Sequence, residues 1–185
     1  MLFCTILAMN RIAAILILSA IGIAPSLHAQ TPATPPANTA FCPPTTTLDE
    51  LILAIDAAVS GPADKDRACM AELLLPEARL APIAKAADGS FAPHILTLDG
   101  WTDAVKKRGS TLLYEHQVKV SSEVYGHVAH LWSTYELHIG KPDGKPDVRG
   151  INSIQAAYDG KRWRILEILW QAETPDDPVP AKYLP

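Results

Sequence analysis

Positive charge is scarce in this chain: 16 Lys and Arg stand against 20 Asp and Glu in 185 residues, a formal net charge of −4. A surface so short of cations does not coat a polyanion, which excludes nucleic acid as a partner. Charged side chains make up only 19% of the residues and hydrophobic ones 48%, so a disordered or collagen-like chain is excluded too. The apolar run Ile12 to Ala24 has 13 residues, fewer than the roughly 20 that span a membrane. It lies within the first 29 residues, where Arg11 is the one Lys or Arg, and Ala29 offers a small residue before a cleavage point at Gln30. That pattern is an export signal, with the true start expected at Met9, just before Arg11. Removing 29 of the 185 residues leaves 156, with 15 basic and 20 acidic side chains. The mature chain is therefore expected to be one exported domain, periplasmic or secreted, with no membrane segment.

Cysteine is equally sparse. Cys4 leaves with the leader, and an oxidising compartment makes Cys42 and Cys69 a candidate disulfide; the alternative is two unrelated buried thiols. A bridge would close a loop of about 27 residues and stabilise by roughly 3.5 kcal/mol on the chain-entropy model. No His neighbours either thiol in sequence, so neither reads as a nucleophile. No phosphate-binding glycine loop, nucleophile elbow or haem motif occurs. His127 and His130, three apart on a strand, point to opposite faces, while Glu136 and His138 share a face without a third ligand. No metal and no cofactor is expected.

Residues 30–47 hold five prolines and no charge and form an extended tether. The domain is expected over 48–172, followed by a Pro-rich tail over 173–185. Thr47 to Glu50 fits a capping box, and Leu48, Leu51, Ile52, Ile55 and Val59 recur at helical spacing up to Gly61-Pro62. Further helices are expected over 64–75 and 99–108, the latter capped by Asp99, with only loop and short strands between them. The Lys106-Lys107-Arg108 run suits a helix C-terminus. From Thr111 the period changes to two, giving strands at 111–122, 127–139, 149–158 and 161–172. Three helices before a strand meander make an α+β fold.

Alternation then sorts the faces. Leu112, Tyr114, His116, Val118 and Val120 form the apolar set of the first strand, and an odd-sum hairpin at Tyr125-Gly126 sets them beside Ala129, Leu131, Ser133, Tyr135 and Leu137. A two-residue turn at Asp159-Gly160 pairs Asn152 with Glu167 on the same inner side. Inward polar groups need partners or a ligand. His116 and Glu167 are candidate proton-transfer groups, and Tyr114, Ser133, Tyr135 and Asn152 candidate ligand contacts; the alternative is that they satisfy one another. On the outer face Trp132, Ile151, Leu166, Ile168 and Trp170 form an apolar patch, a candidate homodimer interface unless the tail covers it.

The element order, with Asp159 to Ile165, the segment Gly126 to His130 and the segment Arg149 to Gln155, resembles the nuclear-transport-factor-2-like superfamily, the cone-shaped fold of ketosteroid isomerase and scytalone dehydratase. The resemblance covers about residues 48–172, and the segments Gly126 to His130 and Arg149 to Gln155 look like those of small exported bacterial members. It implies three helices packed in a curved antiparallel sheet, a mostly apolar pocket and dimerisation through the outer sheet face. Neither enzyme's catalytic motif aligns. Three readings follow: an exported binder of a small apolar ligand, an acid–base enzyme using His116 and Glu167, or a protein-interaction module using the outer face.

Overall fold

Thr47 starts the first helix through reciprocal hydrogen bonds: its hydroxyl accepts from the Glu50 N–H at 3.2 Å, and the Glu50 carboxylate accepts from the Thr47 N–H at 3.0 Å. The computed structural model describes residues 42–185, and the export signal and most of the tether lie outside the described residues. Helix α1 (Leu48–Val59) buries Leu51, Ala54, Ile55 and Ala58. Gly61, at φ +108°, turns the chain into β1 (Gly61–Pro62).

The second helix, α2 (Ala68–Leu73), is shorter than expected. Arg67 accounts for its late start. The guanidinium donates to the carbonyls of Ala58, Val59 and Pro62 at 2.7, 3.2 and 3.0 Å, closing the end of α1 and holding the intervening turn away from helix.

Next comes β2 (Leu74–Lys85), a 12-residue strand where only loop and short strands were expected. Pro76 and Pro82 and a register shift between Leu74 and Arg79 break its alternation, and its partner β7 is some 90 positions downstream, as in the Leu74–Ile165 pair. Short β3 (Phe91–Pro93) folds back on it, and α3 (Leu98–Lys106) follows, capped by Thr97 rather than Asp99 because the Thr97 hydroxyl accepts from the Gly100 N–H.

Strands β4 (Leu112–Tyr125), β5 (Val128–Ile139), β6 (Val148–Tyr158) and β7 (Trp163–Ala172) form the meander. The sheet order is β1-β4-β5-β6-β7-β2-β3. Because β2 lies parallel to β7, the sheet is mixed, not purely antiparallel, and β2 and β3 separate α3 from the first two helices.

Leu51, Ile55, Met70 and Leu73 from the helices meet Leu80, Leu131, Ile154 and Ile165 from the strands in one core. Cys42 and Cys69 form a disulfide, with Cα atoms 4.9 Å apart. Thr45 exchanges two hydrogen bonds with Trp163, at 2.9 and 2.7 Å, so the last tether residues are fastened to β7.

Candidate ligand pocket

Two β-bulges decide which side chains face inward. From Tyr125 back to Lys119, β4 pairs with β5 at the odd register sum expected, for example Val120 with Ser133. Between Lys119 and Gln117 the register slips by one, so Gln117 meets Tyr135. Before the slip the phase inverts. Leu113, Glu115 and Gln117 turn inward, while Tyr114 and His116 turn away; the His116 side chain is 51% exposed. The second bulge, at Leu166, lies between the pairs Ala156–Ile165 and Gln155–Glu167. It turns Ile168 and Trp170 inward and sends Glu167 to the other face, where its carboxylate meets Arg79 at 3.7 Å. His116 and Glu167 therefore do not share a site. The turn at Asp159-Gly160 has four residues, with Tyr158 opposite Trp163, which keeps the inward phase of Asn152, Ile154 and Ala156.

The structure does gather Tyr135 and Asn152 on a cavity of about 270 Å³, with Ser133 hydrogen-bonded behind them. Ile55, Val59, Met70 and Trp101 from the helices and Leu80, Leu113, Leu137, Val148, Ile168 and Trp170 from the strands give it apolar walls. Glu115, Tyr135, Asn152 and Arg108 supply the polar groups. Gln117 organises the interior: its Nε2 donates to Glu115 Oε1 at 3.1 Å, and its Oε1 accepts from Ser133 Oγ at 2.5 Å and Asn152 Nδ2 at 3.1 Å.

Helix α1 fixes the outer edge of this cluster. Ser60 Oγ accepts from the Glu115 N–H at 2.9 Å and donates to the Glu115 carbonyl at 3.3 Å, and both Asp56 oxygens accept from the Gln117 N–H, at 3.1 and 3.3 Å. Two side chains one helical turn apart thus continue the pairing of β4 where β1 stops.

Burial pushes the Asp56 carboxyl up to about 6, against the opposing pull of its Gln117 hydrogen bonds and His116. It pushes Glu115 up to about 7, with the nearby Asp56 charge adding to the rise and the Gln117 and Asn152 hydrogen bonds opposing it. Burial, followed by the Glu115 and Glu173 charges, raises the Tyr135 hydroxyl and keeps it a donor. Tyr135 lies opposite Gly150, where a Cβ would stand 2.6 Å from its hydroxyl oxygen and 2.2 Å from the Gln171 carbonyl. Only glycine admits the ring there.

Glu115, Gln117 and Asp56 were not singled out from the sequence, and Arg108 was read there only as part of a helix C-terminus. The one available signal was Asp56 itself, a carboxylate beside the apolar stripe of α1. Among the described residues no group of three His, Cys, Asp or Glu is placed to hold a metal ion, and Glu136 pairs with Arg149 at 2.7 Å. No described helix is long and apolar enough to cross a membrane.

On the outer face, Trp132 and Ile151 lie beside a second cavity of about 360 Å³, roofed by Pro178, Val179, Pro180 and Tyr183 of the tail. Thr134 Oγ1 donates to the Tyr183 carbonyl and Lys119 Nζ to the Leu184 carbonyl, each at 2.6 Å, and the Trp132 and Tyr183 rings stand 5.8 Å apart. Of the expected interface patch, Ile168 is in the core, Trp170 borders both the inner cavity and this outer one, and Leu166 is exposed. The patch is divided by the β7 bulge and partly covered by the tail.

Helices laid on a strongly bulged sheet, with a ligand-sized cavity lined by both, match the helices, sheet and pocket that the nuclear-transport-factor-2-like resemblance implied. No protein-family model matches the chain, and no curated protein matches it. Among solved structures, it is similar to the beta subunit of a proposed aromatic-ring-hydroxylating dioxygenase from Novosphingobium aromaticivorans DSM 12444, with 16% identity, a TM-score of 0.52, and 69% of this chain and 87% of that one covered. An NTF-2 like protein from Silicibacter pomeroyi DSS-3 aligns at 16% identity and a TM-score of 0.47 over 68% of this chain and 92% of that one. A proposed ketosteroid isomerase from Parabacteroides distasonis ATCC 8503 aligns at 12% identity and a TM-score of 0.39, over 62% and 81%. At these identities the likeness is one of fold.

Proposed function

We propose that this is an exported pocket domain that binds a small, largely apolar molecule bearing at least one hydrogen-bonding oxygen. The observation that carries the reading is a cavity of about 270 Å³ with apolar walls and a polar cluster on one side. The Tyr135 hydroxyl has no hydrogen-bond partner among the described residues, whereas Gln117, Ser133 and Asn152 are tied to one another. A ligand oxygen would complete the set. The Cys42–Cys69 disulfide supports folding in an oxidising compartment. The test is native mass spectrometry of the chain purified from the periplasm. Extra mass that leaves on denaturation supports the reading, and an empty chain that also takes up none of a panel of small aromatic and alicyclic ketones overturns it.

A second reading is favoured by one feature, the Glu115 carboxyl raised to about 7 on the cavity wall, which suits proton transfer near neutral pH. It assigns the proton-transfer role to Glu115 in place of His116 and Glu167. Glu115→Gln would then abolish turnover of any substrate found by screening while leaving its binding within a few-fold; unchanged turnover rejects this reading.

A further inference from the structure

As the end of a basic run, Arg108 needs no role beyond helix-end electrostatics. Its position in space is more specific. Helix α3 ends at Lys106, and the next turn, closed by the Arg108 N–H bonding the Val105 carbonyl at 3.0 Å, carries the side chain to the border of the inner cavity that Glu115, Tyr135 and Asn152 also line. Arg108 is exposed, so it marks the open end. Among the described residues no Asp or Glu pairs with it, although Arg79, Lys106, Arg149 and Arg162 all find acidic partners. Its nearby cation, Arg67, is held by three backbone carbonyls and stacked on Trp101 at 5.6 Å. The mouth thus carries a guanidinium that makes no ion pair among the described residues and is balanced in part, through space, by Glu115, on a chain whose net charge is −4.

We infer that the ligand is a small organic carboxylate, its anionic end meeting Arg108 at the mouth and its apolar body running inward so that a carbonyl or hydroxyl oxygen reaches Tyr135 and Asn152. The inference rests on the pocket reading above and adds the ligand's charge and orientation to it. A guanidinium offers a carboxylate two parallel donors, a match that a neutral amide lacks. Size limits the body: a cavity of about 150 Å³ holds benzene, so one of this size takes about eleven non-hydrogen atoms. The raised Glu115 is compatible with the arrangement, because a carboxyl that titrates at about 7 is protonated more readily, and so repels a nearby anion less, than an ordinary glutamate.

Calorimetric titration of the disulfide-intact chain with 4-acetylbenzoate and with its neutral isostere 4-acetylbenzamide, at low salt, tests this. The acid should bind about tenfold more tightly than the amide, a gap that closes to within about twofold in Arg108→Gln and partly returns in Arg108→Lys. Equal binding of the two probes, or a gap that survives Arg108→Gln in a variant of unchanged melting temperature, overturns the Arg108 assignment and leaves the pocket standing. If neither probe binds, the carboxylate assignment falls as well, and native mass spectrometry then decides the pocket separately.

Discussion

Glu115 and Asp56 hold protons in the folded chain that they release when it unfolds. Their folded values, about 7 and about 6, exceed the ordinary 4.5 and 3.8. The folded state therefore binds more protons than the unfolded one between about pH 4 and 7, and the stability linked to each group is complete below pH 4 and lost as pH rises through 6 and 7. Each shift corresponds to something on the order of 3 kcal/mol, and the two groups interact, so the values do not add. The urea midpoint should thus be higher at pH 5 than at pH 8, and Glu115→Gln should flatten the difference. A midpoint that rises between pH 5 and 8 contradicts the assignment. The lowered carboxyls of Asp88 and Asp159 do not blur this window, since they titrate below it. Tyr135 makes a separate prediction: Tyr135→Phe should weaken an oxygen-bearing ligand by about 1 kcal/mol, roughly fivefold, with little change in melting temperature. Titration of both proteins with one ketone checks it.

At the scale of the elements, the β4 bulge decides the character of the pocket. Without it the inner face would present Tyr114 and His116; with it, the same strand presents Glu115 and Gln117, held from the side by Asp56 and Ser60 of α1. Strand β6 contributes by omission, since Gly150 leaves the space that the Tyr135 ring fills. Gly150→Ala should destabilise by about 2–3 kcal/mol and disturb the ring, read as a lower urea midpoint and a changed near-ultraviolet circular dichroism. The Cys42–Cys69 bridge joins the segment before α1 to α2 across 27 residues. Cys69→Ser should lower stability by about 3 kcal/mol, read by the same denaturation and unaltered by added reductant.

Over the whole molecule, the C-terminal tail changes what the outer face offers. Trp132 lies beneath Tyr183, and the tail is fastened by few hydrogen bonds outside itself, such as those from Thr134 and Lys119. Deleting residues 174–185 should expose Trp132, seen as a red shift of tryptophan emission with the domain still folded; an unshifted spectrum would mean the tail does not shield it. Any homodimer through this face must form over the tail or displace it, a question that native mass spectrometry of the full and shortened chains addresses.

Much of this architecture was legible in local pattern. The capping box of α1, the change of period at Thr111, the four meander strands and the inward set of β5 follow from the chemistry of neighbouring residues, whose spacing needs no distant partner to be read. The inward placement of Ser133, Tyr135 and Asn152 belongs to that group. Two things did not: β2, whose partner β7 lies far along the chain, and the two bulges, each of which inverts a face by inserting one residue; the cover of the outer face by the tail stood only as the alternative to a homodimer interface. Each depends on which segments meet in space. Alternation along a strand fixes two faces but not which one is buried beyond a bulge, and that choice is made where α1 supplies Asp56 to the free N–H of Gln117.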